Sequence, residues 1–260
     1  MKFSRTLALA LCAAALPATM LADDDDRRPT NGCSKLPSHA QLLTALKAAT
    51  TTETTGLDLQ MWGTIVDRDG VVCAVAFTGT DRGAQWPGSR VISAQKANTA
   101  NAFSLNGLAL STANLYSATQ PGSSLYGLQE SNPVSTDVAY RGNSADNGTA
   151  KDPMVGGKIG GVNVFGGGLA LCDASRKVIG AVGVSGDTSC ADHRIGWRVR
   201  DSLNLDNLAG LFAIADAAHP DNMVLDITDN PNGGTGKSAG GFGHPSCINT
   251  GVPNTLPAVQ

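Results

Sequence analysis

Between Met154 and Trp197 the chain reads MVGGKIGGVNVFGGGLALCDASRKVIGAVGVSGDTSCADHRIGW, and few architectures accommodate such a run. Valine and isoleucine favour the pleat of a sheet, while Gly160, Gly161, Gly180 and Gly183 let other backbone, or a ligand, come close. The pattern predicts a strand over Gly161–Phe165. A hairpin of Leu169–Cys172 and Val178–Val184 follows, across the polar turn Asp173-Ala174-Ser175-Arg176. A helix then opens at Ser189, with Ser189 and Asp192 as a shortened capping box.

The flanking sequence supplies the rest of the scaffold. Pro37-Ser38 opens a first helix with Ser38 as its cap, and His39, Leu42, Leu43, Leu46 and Ala49 fall on one face. Met61–Val66 and Val71–Phe77 form a hairpin across a turn that ends in Asp69-Gly70. Ser89 begins another helix, whose Ala94, Ala97 and Ala100 make a small face suited to close approach by a sheet or a second subunit. Lys96 is its interior charge. A shorter helix is expected over Leu108–Tyr116. Residues 119–152, dominated by Gly, Ser, Asn, Pro and Asp, read as an inserted loop of the kind that is functional or interfacial. The last helix runs to about Leu203, with Ala191, Ile195, Val199 and Ser202 inward. Helical turns over Leu208–Ala218 and a strand over Asn222–Ile227 follow, and from Thr228 the chain is irregular. This order gives an α/β (α+β) fold: a mostly antiparallel five-stranded sheet with helices packed on it.

Met1–Ala22 has the pattern of a secretory leader: Lys2 and Arg5, the apolar run Leu7–Leu16, then small residues around Ala18 and Ala22. The run is shorter than the roughly 20 apolar residues a membrane span needs, so the mature chain is expected to be secreted or periplasmic, without a membrane span. Residues 23–36 form an acidic, then polar lead-in. A net charge of −3 offers no basic footprint for nucleic acid. Export into an oxidising compartment favours disulfides among the cysteines after the leader: Cys33, Cys73, Cys172, Cys190 and Cys247. Their odd number leaves one over, and Cys172, inside the apolar Leu-Ala-Leu-Cys, is the candidate. Cys33 and Cys247 lie where core residues are sparse and a bridge helps most; the pairing stays open.

Several blocks, taken in order, resemble the GlcG/HbpS family of haem-binding or haem-degrading proteins, related to the C-terminal domain of PduO. They are Val66-Asp67-Arg68-Asp69-Gly70-Val71; the helix Ser93-Ala94-Gln95-Lys96-Ala97-Asn98-Thr99-Ala100; Gly160-Gly161-Val162-Asn163-Val164; and Val178-Ile179-Gly180-Ala181-Val182-Gly183-Val184-Ser185-Gly186. Asp192 stands where that family opens its last helix with an acidic pair. Asn163 replaces the family's proline, and His193 its second acidic residue. The resemblance implies a PAS- or profilin-like sandwich over residues 37–203, interrupted by the insertion 119–152 and followed by an extension, 204–260. It also implies homo-oligomers and, in some exported members, haem.

A haem site needs an apolar slot and an axial donor, most often His. His193 lies about 200° around its helix from core-facing Ala191 at roughly 100° per residue, so it points away from the buried stripe. Trp197 and, approximately, Cys190 and Arg200 share that side. An imidazole beside an indole, with an arginine for a propionate, would hold a porphyrin at a subunit contact; the plainer alternative is a solvated or interface histidine. His39, in the first turn of its helix, is either a ligand or a core histidine bonded to backbone. Lys96 either meets an anionic ligand or pairs with a carboxylate. Cys190-Ala191-Asp192-His193 is not a haem-attachment motif, and no second pair completes a zinc site. Gly233–Ser238 resembles a phosphate loop but has Pro231 at the required first glycine and no following helix. The function expected is therefore an exported haem-binding protein that sequesters, or further degrades, its ligand. The alternatives are a regulatory or structural module that docks a protein partner, and an enzyme or binder for a small organic acid using Lys96 and Asp192.

Overall fold

The computed structural model describes residues 32–234, 236–250 and 255–260. The leader and most of the acidic lead-in lie outside the described residues. The elements are α1 (His39–Thr52), β1 (Trp62–Asp67), β2 (Val72–Phe77), α2 (Ser89–Phe103), the short α3 (Thr136–Ala139), β3 (Gly168–Cys172), β4 (Val178–Ser185) and α4 (Ser189–Ser202). A small pair follows, β5 (Ile227–Thr228) with β6 (Lys237–Ser238). The main sheet is antiparallel in the order β2-β1-β4-β3.

Both hairpins form as the sequence predicts. In the first, the Asp67 carboxylate accepts from the amides of Asp69 and Val71, and Gly70 takes φ +75° to close the turn. Each strand buries both faces because helices cover the sheet on either side. Leu42, Leu46 and Ala49 of α1 meet Ile65, Val182 and Val184, together with Ile195 and Val199 of α4. On the other face Ala94, Ala97 and Ala100 of α2 meet Val66, Val75 and Ala181. That small face is taken by the sheet. Around Gly183 the approach leaves no room for a side chain: a Cβ there would lie 2.0 Å from the Ser93 carbonyl oxygen.

Several expected elements differ. The main sheet has four strands, not five, because Gly161–Phe165 is not one of them. Gly160 and Gly161 adopt φ of +62° and +78°, which breaks extension. The segment runs along α2 instead, where Asn98 Nδ2 donates to the Gly161 carbonyl and the Asn163 amide donates to Thr99 Oγ1. Leu108–Tyr116 condenses to a 3-10 turn over Thr112–Leu115, with Thr112 Oγ1 accepting from the Gly168 amide and donating to the Phe165 carbonyl. Leu208–Ala218 is irregular, its amides satisfied by partners such as the carbonyls of Gln260 and Pro220. Only Ile227 of Asn222–Ile227 is in a strand. Ser38 caps α1 in a full capping box with Gln41. The cap of α4 is Thr188, one residue before the expected Ser189. The insertion is anchored: Arg90 of α2 makes a buried ion pair with Asp152 and donates to the Ala139 carbonyl at 2.8 Å. Cys33 pairs with Cys73 and Cys190 with Cys247, while Cys172 stays free and buried.

Candidate functional site

Helix α4 divides its polar residues between two destinations. Asp192, in its first turn, points toward α2, where Oδ2 lies 2.7 Å from Lys96 Nζ and Oδ1 accepts from the Asp187 amide. Lys96 also donates to the Val184 carbonyl at 3.2 Å. The pair is buried on both sides. Burial pushes the Asp192 carboxyl up to about 6, against the pull of Lys96. Lys96 therefore meets a carboxylate, the alternative the sequence left open.

His193, Trp197 and Arg200 do gather on one side of α4, but that side does not face solvent or a second subunit. The chain's own C-terminal extension covers it, which corrects the expectation that His193 sits on an open face. His193 is 1% exposed, and Trp197 and Arg200 are fully buried. His193 Nε2 pairs with Asn222 Oδ1 at 3.2 Å, and Trp197 Nε1 donates to the Pro257 carbonyl at 2.9 Å. Arg200 makes a bidentate bond to Asp221, at 2.6 and 2.9 Å, with its guanidinium 4.5 Å from the Trp197 ring centre. The ring of His219 lies tilted against that of Trp197, with centres 5.6 Å apart. The Cys190–Cys247 disulfide fastens the extension to the first turn of α4. Burial lowers the His193 pKa to about 3, so its imidazole is neutral.

His39 is not part of this group. It begins α1, partly exposed, and its Nε2 lies 3.0 Å from the Gly148 carbonyl of the insertion. A carbonyl only accepts, so Nε2 carries the hydrogen, which in the neutral ring leaves the lone pair on Nδ1. A backbone carbonyl that fixes the tautomer in this way is the usual outer support of a ligating histidine.

Sequence reasoning undervalued His244, which it placed in a loop. It is buried beside Tyr116 and Phe165, with ring centres 5.6 and 6.4 Å away. Its Nε2 accepts from the Gly166 amide and its Nδ1 donates to the Pro245 carbonyl. Burial lowers its pKa to about 4. Asp221 and Asn222 were also missed. No local pattern marks a residue whose partner lies some 20 to 30 positions away, as the 21-residue and 29-residue separations here do. Cys190, His244 and Cys247 bring three donor atoms within 4.8 Å of one another, as do Cys33, Asp67 and Cys73. In each set both sulfurs are held in a disulfide, which leaves no thiolate to bind a metal. Burial pushes the Cys172 thiol up to about 12, so it is inert.

A porphyrin does not fit these residues within one chain as folded. The recess that His193 lines measures about 140 Å³, close to the roughly 150 Å³ of a cavity that holds benzene. Arg200, the expected propionate partner, is committed to Asp221. Of four larger hollows, about 390, 350, 510 and 270 Å³, the first lies at the end of α1 beside Glu53 and Asp187 and the third along the α1 surface beside Ala48 and Leu203. None of the four is lined by a histidine.

The family described as "Haem degrading protein HbpS-like" matches residues 38–198, from the cap of α1 through most of α4. Among solved structures, the Klebsiella pneumoniae protein ORFY, of the DUF336 family, is 27% identical over 64% of this chain and 90% of its own, with a TM-score of 0.43. A PduOC:heme complex is 24% identical over 65% of this chain and 96% of its own, with a TM-score of 0.46. No curated protein matches. Among the described residues, no helix is long and apolar enough to cross a membrane.

Proposed function

Because the chain belongs to the haem degrading HbpS-like family, we propose that it is an exported haem-binding protein that sequesters its ligand. The family match carries this reading: it spans every strand of the main sheet and the helices on both of its faces. Export is supported by the leader pattern of Met1–Ala22 and by two disulfides. Of the two histidines inside the matched region, His193 is sealed under the extension and His39 keeps a lone pair at a partly exposed helix start. His39 is therefore the candidate axial donor. A slot for the ring would be completed by a second copy of the chain, in keeping with the homo-oligomer the sequence suggests. Haem supplies iron chemistry when bound; the chain's part is to hold it and limit access to it.

Titration of the purified mature protein with hemin tests this directly. A saturable Soret shift is expected, lost in His39→Ala and kept in His193→Ala, with sedimentation reporting whether subunits assemble as haem binds. No shift beyond that of an unrelated acidic protein would remove the haem reading and favour a module that docks a protein partner.

A further inference from the structure

Restraints from separate elements converge on Gly148, the residue whose carbonyl oxygen accepts from His39 Nε2. The first is Asp152. Its Oδ2 accepts from the Gly148 amide at 2.7 Å and from Arg90 Nε at 2.9 Å, while Oδ1 accepts from the Met154 amide and from Arg90 Nη2. Asp152 is 2% exposed, so α2 fixes the carboxylate and the carboxylate fixes Gly148. The second lies on the far side of the same carbonyl: the Thr149 amide, in the peptide unit that Gly148 opens, donates to the Asp146 carbonyl at 3.1 Å. The third is the stacked pair of Trp62 and Phe77, against which Gly148 is pressed. A Cβ on Gly148 would lie 2.8 Å from Phe77 Cβ and 2.9 Å from Trp62 Cζ3, and its φ is +79°, so glycine alone fits.

The insertion is already anchored to α2 through Arg90, and one hydrogen bond to a partly exposed histidine adds little to a fold. What that bond does set is the ring of His39, whose side chain would otherwise rotate among several wells at the start of α1. We propose that Asp152 is a positioning residue for His39: through Gly148 it holds the Nε2–H and so directs the Nδ1 lone pair, which has no partner among the described residues, toward a ligand. This deepens, and rests on, the reading of His39 as the axial donor. It makes the insertion part of the site, in a chain of contacts that runs from α2 through Asp152 and Gly148 to α1.

Nuclear magnetic resonance of the haem-free protein tests this without any ligand. A ring N–H that donates to a fixed carbonyl exchanges slowly with water, so His39 should show an Nε2–H resonance, coupled through the hydrogen bond to the Gly148 carbonyl carbon. Removing Asp152 alone would strand the buried Arg90, so the variant is Arg90→Met combined with Asp152→Leu. It should keep a cooperative urea transition, lose the resonance and bind hemin about tenfold more weakly. A chemical rescue that leaves the insertion untouched decides even if that variant does not fold. In His39→Ala, imidazole should restore hemin binding at about tenfold lower concentration than 1-methylimidazole, which has a lone pair but no N–H for the Gly148 carbonyl. A wild-type protein without the resonance, a folded double variant that keeps it, or equal rescue by the two imidazoles would each overturn the proposal. A wild type that shows the resonance but no Soret shift would instead remove the haem reading and leave the positioning of His39 standing.

Discussion

Asp192 and His193 are adjacent in sequence, and both are sealed from water, but the fold displaces their proton affinities in opposite senses. The consequence is a stability that depends on pH. An unfolded imidazole takes up its proton near 6.5, whereas folded His193 waits until about 3 and His244 until about 4. Each therefore contributes stability that is complete above pH 6.5 and is lost as the pH falls toward the folded value. Asp192 acts in reverse: its contribution is complete below 3.8 and is lost as the pH rises through about 6. Asp206, raised by burial, leans the same way. The imidazoles have the larger displacements and set the sign. Urea midpoints should fall between pH 6.5 and 5, each imidazole acting at about 1.4 kcal/mol per pH unit. His193→Asn combined with His244→Asn should remove that fall or reverse it, leaving the carboxyl contribution. A wild-type midpoint that stays flat or rises on acidification would contradict the assignment. Neither displacement was legible in the sequence. Helical spacing gives the direction of a side chain; its proton affinity depends on what covers it.

At the scale of elements much more could be read. Ala94, Ala97 and Ala100 announce a helix that comes close to something, and the glycines of the central run announce ribbons that allow it. The two features are complementary. A Cβ on Gly183 would meet the Ser93 carbonyl oxygen at 2.0 Å and the Ala97 nitrogen at 2.4 Å, and one on Gly168 would meet the Lys96 carbonyl oxygen at 2.4 Å. These are backbone atoms of α2, which no rotamer change can move aside. Gly183→Ala should push α2 off the sheet and cost about 3 kcal/mol, at the upper end of overpacking penalties. Gly107→Ala, with nothing within 4 Å of its new methyl, should stay within about 0.5 kcal/mol of wild type. Equal urea midpoints for the two variants would refute the close-packing account. The strand expected over Gly161–Phe165 failed for the converse reason. Its valines suit a pleat, but two left-handed glycines and the α2 side chains Asn98 and Thr99 offered its backbone other partners.

For the molecule as a whole, the decisive segment is the one whose sequence says least. Residues 204–260 are rich in Gly, Pro and Asn; irregular structure was legible from Thr228 on, whereas the helical turns expected over Leu208–Ala218 and all but Ile227 of the strand expected over Asn222–Ile227 are absent. Irregular does not mean loose, however: the segment supplies Asp221 to Arg200, Asn222 to His193, the Pro257 carbonyl to Trp197 and Cys247 to Cys190. Helical spacing correctly put these α4 residues on the side away from Ala191; the residues that cover them arrive 21 to 60 positions later. A chain ending at Asn204 would lose all of these partners at once. A disulfide that closes a loop of this length contributes about 4 kcal/mol, and stranding one member of a buried ion pair costs about 3–5 kcal/mol. Their sum is comparable to the whole stability of an ordinary domain, about 5–15 kcal/mol. The truncated chain is therefore expected to keep far-ultraviolet dichroism but lose its near-ultraviolet signal, bind a hydrophobic dye and unfold without a sharp transition. Should it instead show a cooperative urea transition within about 1 kcal/mol of the full chain, residues 37–203 would be a self-sufficient unit. The extension would then be a cover laid over a finished fold, since α4 would have retained its buried arginine and tryptophan without help.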